Sequence, residues 1–228
     1  MPLSTHHNIR VLAFTCSRDR LLMLRHCIMQ MQRQTYPTDH VVYVNSPHES
    51  ATDMKLNYDI FLRDLCTNSK TVTKIGYGPS ETYHKNYLNS IKLVNIENYD
   101  LFLKIDDDDF YLRDYVIEVV RDFEARNWDS SGAMSNGCLV GSKWRPNVMT
   151  SLGLGKEDTD LNIPAFMPAT AAFSKKGICA LLNLEDTGIF EDIQWRRHLA
   201  KIPEIRILAR THKNYIYNIH GQNFSKPG

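Results

Sequence analysis

Four consecutive aspartates, residues 106–109, are the part of this sequence best suited to chemistry. They stand between two apolar stretches, residues 101–105 and 110–112. Adjacent carboxylates repel one another, and burial strengthens the repulsion, so a folded protein keeps such a run only with compensation. A divalent cation is the usual compensation, because hard cations bind carboxylate oxygens. The run therefore predicts a metal site.

Alternate side chains of an extended chain share a face, so Asp106 and Asp108 are expected to point the same way. One of the two carboxylates would then reach a metal ion while the other reaches a ligand group beside it. The alternative is a solvated acidic turn that caps a helix beginning near Arg113, since aspartate is favoured at helix starts. An acidic turn has no need to follow a buried strand, which favours the metal site.

The elements that would position this run alternate between strand and helix in the first half of the chain. Apolar runs predict strands at residues 11–15, 41–44, 71–75 and 101–105. Apolar residues three and four apart predict a helix after each of the first two strands and another after a turn at residues 76–79. This alternation predicts an α/β fold with a mostly parallel sheet covered by helices on both faces. Ligands bind beyond the carboxyl ends of such strands, where residues 15–18 and the aspartate run lie.

The second half of the chain is less regular. Strands are predicted around Ala133 and Val140, followed by a long Gly-, Asp- and Pro-containing connection at residues 144–168. A connection of that length is typical of a functional loop. Helices are predicted at residues 174–184 and 188–201, and a strand at residues 205–209. The polar tail, residues 214–228, is expected to become ordered with ligand.

Composition limits the classes of function. The 228 residues suit one domain, and 43% hydrophobic and 23% charged residues are ordinary for a globular protein. A net charge of +1 gives no general attraction to nucleic acid, so anion binding must be local. Five scattered cysteines without a C-x-x-C pair favour free thiols in a reducing compartment. With no apolar signal segment, we expect a cytoplasmic protein, with docking at the inner face of the membrane left open.

Five segments, in order, resemble motifs of GT-A glycosyltransferases of the family 2 type. K-I-D-D-D-D-F at residues 104–110 resembles their D-x-D signature, and T-C-S-R followed by Q-T-Y-P, residues 15–18 and 34–37, resembles their opening. Residues 84–86 resemble the A-R-N segment, 190–192 the E-D that carries the base, and 217–223 the terminal H-G-x-N. The resemblance implies a Rossmann-like GT-A domain over residues 1–228. Residues 1–110 would be its nucleotide-binding half, and residues 111–228 its acceptor-binding half with the C-terminal tail.

The same resemblance implies roles for the acidic residues. Asp108 would coordinate the metal, Asp106 would meet the ribose or the metal edge, and His220 would be a further ligand. Imidazole with carboxylate suits Mn²⁺, with Mg²⁺ as the alternative. Such an ion stabilises the negative charge on a departing nucleoside diphosphate.

Nucleotide binding is predicted for Thr15, Arg18, Asn45, Lys85, Asp106 and Asp107. Asn45-Ser46 replaces the acidic pair that usually contacts the nucleobase in family 2 enzymes. An asparagine can still hydrogen-bond a uracil edge, and UDP is the nucleotide that the resemblance implies.

Proton transfer from an acceptor hydroxyl requires a positioned base, and the resemblance implies Asp192. The reaction would then be a single in-line displacement that inverts the anomeric centre, with Glu191 binding sugar hydroxyls. A plain helix-start role for Asp192 is the alternative. Trp144 and Trp195 would either stack on a sugar or pack in the core.

The sequence thus predicts a metal-dependent transferase that takes a UDP-sugar donor and a glycan or glycolipid acceptor, in bacterial surface glycan assembly. Three rivals share some of these features; the weakest is a pseudo-enzyme subunit of a larger polymerase, which would bind the donor without turning it over. A nucleotidyltransferase that makes nucleotide-sugars usually has a glycine-rich loop after its first strand, and residues 15–19 contain no glycine. A non-catalytic nucleotide- or carbohydrate-binding module would leave Glu191 and Asp192 without a role.

Overall fold

The computed structural model describes residues 9–46, 50–67, 73–79, 81–134, 137–140, 143–146, 168–185, 191–211 and 214–219. The strands are β1 (Val11–Arg18), β2 (Thr38–Ser46), β3 (Thr73–Pro79), β4 (Leu101–Lys104), β5 (Phe110–Tyr111), β6 (Ser130–Met134), β7 (Gly137–Val140), β8 (Lys143–Pro146), β9 (Ala172–Ser174), β10 (Ile207–Thr211) and β11 (Tyr215–Ile219). The α-helices are α1 (Leu21–Gln32), α2 (Ala51–Thr67), α3 (Tyr83–Ile91), α4 (Tyr115–Arg126), α5 (Lys175–Leu182) and α6 (Glu191–Ala200).

Seven strands form the central sheet, in the order β10-β6-β9-β4-β1-β2-β3. The pairings are parallel except for β9, which runs antiparallel to both β4 and β6. A smaller sheet has the order β5-β11-β7-β8. The predicted α/β fold with a mostly parallel sheet is therefore confirmed.

Strand β1 shows how the sheet is covered on both faces. Its alternate residues Val11 and Ala13 pack with α1 and α4, whereas Leu12 and Phe14 pack with α3, α5 and α6. A third cluster joins α1 and α2 to β2. Alternation with period two is what allows one strand to supply two hydrophobic layers. Within the described residues, no helix is long and apolar enough to cross a membrane.

One local prediction is wrong, and a strand in the tail was not predicted. Residues 76–79, predicted as a turn, belong to strand β3; a Cβ on Gly78 would lie 1.8 Å from the Tyr43 hydroxyl oxygen, so glycine here allows a close approach. Within the polar tail, residues 215–219 form β11, with Tyr215 buried. The remainder of the tail, residues 220–228, and the connection at residues 147–167 lie outside the described residues.

A polar pair lies inside the sheet between β1 and β2. The Thr15 hydroxyl oxygen is 2.9 Å from His40 Nε2, and both side chains are buried. Burial without a carboxylate partner lowers the pKa of His40 to about 3. His40 is therefore neutral in the folded protein at pH 7.

We expect His40 to make the folded state acid-sensitive. Its pKa falls from an ordinary 6.5 to about 3 on folding, so the unfolded chain takes up the proton first as the pH is lowered. The part of the free energy of unfolding that depends on a neutral His40 is fully present above pH 6.5 and is lost progressively toward pH 3. The loss amounts to roughly 2 kcal/mol by pH 5. Urea unfolding at pH 7 and pH 5 should show a smaller pH dependence for His40→Gln than for the wild type. An equal dependence in both proteins would contradict this assignment.

Candidate functional site

The parallel strands β1, β2 and β4 bring their carboxyl ends to one edge of the sheet. Arg18 is in register with Asn45, and the aspartate run follows β4 beside the end of β1. Residues 107 and 108 form a turn, and strand β5 separates the run from helix α4. The run therefore does not cap that helix, which removes the acidic-cap alternative.

Exposure alternates along the run. The side chains of Asp106 and Asp108 are 25% and 11% exposed, whereas that of Asp107 is fully buried. Asp109 is also buried, at 2%. The two partly exposed carboxylates are thus the ones that a ligand can reach first.

Asp107 and Asp108 share one guanidinium. Arg20 places Nη2 2.6 Å from Asp107 Oδ1 and Nη1 2.6 Å from Asp108 Oδ2. Burial lowers the pKa of Arg20, but the two carboxylates raise it by more, so its pKa lies above the ordinary value. Asp107 also accepts a hydrogen bond of 2.6 Å from the Ser17 hydroxyl, yet burial raises its pKa to about 7.

Sequence reasoning selected Arg18 and missed Arg20. Asp19, between them, has a φ of 52°, and this left-handed residue turns the chain sharply between β1 and α1. The turn directs Arg20 toward the aspartate run. The available signal was a second arginine immediately before an amphipathic helix, a position that sequence spacing alone does not connect to residues 107 and 108.

Asp106 is held by a second, separate cation. Lys104, only 2% exposed, places its Nζ 2.7 Å from Asp106 Oδ1, and the Tyr87 hydroxyl donates to the same oxygen at 2.7 Å. Burial would raise the pKa of Asp106, but Lys104 and Tyr87 outweigh it, so its pKa lies below the ordinary value. The ammonium also lies 4.7 Å from the centroid of the Tyr87 ring. Asp106 is therefore ionised and fixed in orientation.

Asp109 connects the run to the C-terminal strand. Its two carboxylate oxygens accept from the Tyr215 hydroxyl at 2.6 Å and from the Asn218 backbone N–H at 2.9 Å. The Asn218 side chain in turn donates to the Asp108 carbonyl at 2.9 Å. Burial raises the pKa of Asp109 well above its ordinary value. Asp109 therefore holds β11 beside the site.

The other predicted nucleotide-binding residues differ in accessibility. Thr15 is buried against His40, so its side chain is not at the accessible edge. Asn45 is also buried; its amide donates to Cys16 Sγ and to the Ser17 carbonyl, while its Oδ1 has no partner within the described residues. Lys85 is exposed in the first turn of α3, and Arg18 is half-buried at the end of β1.

The predicted substrate-binding residues lie in the second half. Glu191 and Asp192 are the first two residues of α6, and Trp144 is in β8, but the side chains of all three fall outside the described part, as does His220 entirely. Trp195 is 1% exposed, with ring centroids of Tyr87 and Phe173 within 5.8 Å and 5.7 Å of its own. Its faces are covered by the core, so the core role replaces the sugar-stacking role predicted for Trp195.

The acidic groups fit a divalent cation in part. Within the described ranges, no three His, Cys, Asp or Glu side chains converge as a metal site. Asp106 and Asp108 nevertheless offer carboxylate oxygens, the ligands that hard cations prefer, at an accessible edge. A cation held there would need further ligands, which water or the phosphates of a nucleotide can supply.

No protein-family model matches the chain, and no curated protein matches it in sequence. Solved structures match it in fold. S. aureus TarS 1-349 in complex with UDP has a TM-score of 0.62 and 12% identity, over 92% of this chain and 61% of that one. The mannosyltransferase PcManGT from Pyrobaculum calidifontis, in complex with GDP-Man and Mn²⁺, has a TM-score of 0.64 and 11% identity, over 94% of this chain and 58% of that one.

A third similar structure is a 4-diphosphocytidyl-2C-methyl-D-erythritol synthase from Anaerococcus prevotii, with a TM-score of 0.53 and 11% identity, over 91% of this chain and 89% of that one. The present chain spans about three fifths of the TarS and PcManGT chains. At these identities the similarity establishes the fold. The chain has the Rossmann-like GT-A fold that the sequence predicts.

We expect Arg20→Gln to destabilise the protein by about 3–5 kcal/mol, because two carboxylates lose a largely buried cationic partner. Added Mn²⁺ should raise the Tm of this variant more than that of the wild type, since a bound cation can replace the lost charge. The matched control is Arg25→Gln in the adjacent helix, where the guanidinium donates to the Phe61 carbonyl. Equal Mn²⁺ shifts in the two variants would show that the ion does not replace the charge lost beside the aspartates.

Proposed function

We propose that this protein is a glycosyltransferase that moves a sugar from a nucleotide-sugar donor to an acceptor hydroxyl. The observation that carries the proposal is the aspartate run at the carboxyl end of β4, with two partly exposed carboxylates held by a buried lysine and a largely buried arginine. Its position agrees with the rule that ligands bind beyond the carboxyl ends of parallel strands. TarS and PcManGT, which have similar folds, are in complex with UDP and with GDP-Man, and this supports binding of a nucleoside diphosphate at this edge.

The donor half of the site would be formed by residues 1–110. Arg18 ends β1 and is in register with Asn45, near the end of β2; both would contact the nucleoside, while Lys85 would lie near the diphosphate. UDP is the proposed nucleotide because Asn45 Oδ1, which has no partner within the described residues, can accept a hydrogen bond from a uracil N–H. Asp106, fixed by Lys104 and Tyr87, would orient the ribose or the metal edge.

Asp108, Asp106 and His220 would hold a divalent cation, Mn²⁺ or Mg²⁺, which when bound supplies positive charge for the leaving nucleoside diphosphate. Arg20 lies against Asp108 and adds a second positive charge in the same place. Preorganised charge of this kind stabilises the developing anion without rearrangement of solvent.

Asp192 is the proposed general base. It would accept the proton of the acceptor hydroxyl as the acceptor oxygen bonds to the anomeric carbon and the bond to the diphosphate breaks, with inversion at that carbon. Glu191 would bind sugar hydroxyls. The acceptor would be a glycan or glycolipid, in bacterial surface glycan assembly, with the enzyme in the cytoplasm or docked at the inner face of the membrane.

A nucleotidyltransferase is the second candidate, and a specific observation keeps it in view. The A. prevotii synthase, which shares the fold, is named for a diphosphocytidyl product. The turn from β1 to α1 favours the glycosyltransferase, because residues 17–20 form it without glycine and present a guanidinium to the aspartates. Pyrophosphate released from a nucleoside triphosphate and a sugar phosphate would establish the second candidate instead.

We expect turnover of one UDP-sugar to require Mn²⁺ and to be abolished by Asp108→Asn. The test is hydrolysis and transfer with a panel of UDP-, GDP- and CMP-sugars, with and without the ion. The matched control is Asp114→Asn, which neutralises an exposed aspartate just after the run. Turnover that is independent of both the ion and Asp108 would refute a metal-dependent site.

We expect Asp192→Asn to lower kcat by roughly 10²–10⁴-fold with little change in the KM for donor, because the base acts on the acceptor. The matched control is Asp53→Asn, since Asp53 also lies in the first turn of a helix. If Asp192 only stabilises the helix start, both variants should lose some Tm and neither should lose kcat.

A further inference from the structure

Helix α6, which begins with Glu191 and Asp192, is tied to helix α3 by two buried side chains. The Trp195 indole N–H donates to His84 Nδ1 at 2.7 Å, and the two residues are 1% and 2% exposed. On its other side, His84 Nε2 lies 3.1 Å from the Leu184 carbonyl. A carbonyl only accepts and an indole N–H only donates, so these partners require a neutral His84 with its proton on Nε2.

The same tryptophan contacts the residue that holds Asp106. The Tyr87 ring centroid is 5.8 Å from that of Trp195 at an interplanar angle of 70°, an edge-to-face contact. Tyr87 lies three residues after His84, on the same side of α3, and its hydroxyl donates to Asp106. A continuous buried path therefore runs from α6 through α3 to the aspartate run.

Two consecutive backbone carbonyls that precede α6 in the chain, those of Leu184 and Glu185, accept hydrogen bonds from side chains of α3 and α6. Leu184 accepts from His84, and Glu185 accepts from the Gln194 side chain at 2.6 Å. The backbone of residue 192 lies about 4.5 Å along the helix axis from that of residue 195. A tilt or shift of α6 at Trp195 is consequently transmitted to Asp192.

We propose that His84 and Trp195 are positioning residues that set the start of α6, and with it Asp192, relative to Asp106. The proposal rests on the proposed role of Asp192 as the base. A displacement of the base by about 1 Å is enough to slow transfer by up to 10²-fold, while the donor contacts supplied by β1, β2 and the aspartate run are kept.

Trp195→Phe tests the link by removing the N–H while keeping an aromatic ring. We expect kcat to fall on the order of 10- to 100-fold, with the KM for donor within roughly twofold of the wild type. The matched control is Trp128→Phe, which removes another buried indole N–H, donated to Asp122 at 2.7 Å. Trp128→Phe should lower the Tm similarly and leave kcat unchanged. Equal kcat in the two variants would overturn the proposal.

Two substitutions of His84 distinguish its hydrogen bond with Trp195 from its hydrogen bond with the Leu184 carbonyl. His84→Asn keeps an acceptor near the position of Nδ1, whereas His84→Gln keeps a donor near the position of Nε2. We expect the Asn variant to retain a kcat closer to the wild type, because it preserves the bond from Trp195. The reverse order, or equal losses, would show that this bond does not set the base.

Hydrogen exchange distinguishes failure of this link from failure of the proposed function. If the wild type transfers no sugar from any donor, the proposed function is refuted, and the link is judged on the backbone amides of α6. Faster exchange there in Trp195→Phe than in Trp128→Phe would support a positioning link. Identical exchange in the two variants would overturn it.

Discussion

Four adjacent carboxyl groups at the end of β4 must share a space in which, among the described residues, Arg20 and Lys104 supply the positive charge. This constraint organises the elements around them, because each element supplies one compensating group. The turn after β1 brings Arg20, β4 brings Lys104, and the hydroxyls come from β1, α3 and β11. Low dielectric makes an uncompensated carboxylate costly, so the partners are found within hydrogen-bond distance.

The carboxyl groups of the aspartate run differ in how readily they hold a proton. Burial raises the pKa of Asp107 to about 7 and raises that of Asp109 well above its ordinary value, so these two carboxyls hold protons more readily. Asp106 has a lowered pKa and stays charged. The negative charge that remains lies on the partly exposed carboxylates at the edge, where Lys104 and Arg20 balance it.

The sequence predicted the sheet well because strands and helices there follow apolar periods of two and of three to four, and it located the aspartate run at the correct edge. The side chains that contact the aspartate run were not predicted, because their positions depend on local backbone geometry that sequence spacing does not reveal. Arg20 reaches the run through the positive φ of Asp19. Glycine and proline in residues 76–79 suggested a turn, whereas Gly78 serves a close contact with Tyr43. Polar residues around Tyr215 hid a strand whose buried partner is Asp109.

The fold alone does not decide the reaction, since similar folds occur in TarS in complex with UDP, in a mannosyltransferase and in a diphosphocytidyl synthase. The reaction then depends on which side chains residues 111–228 place beside the site formed by residues 1–110. Here β9, α5 and α6 pack on β1 and β4 through Phe14, Tyr87, Phe173 and Trp195. Aromatic rings in edge contact resist sliding, because each movement loses contact area with several neighbours. A core of this kind suits a reaction in which two carboxylates on different elements must keep a fixed separation.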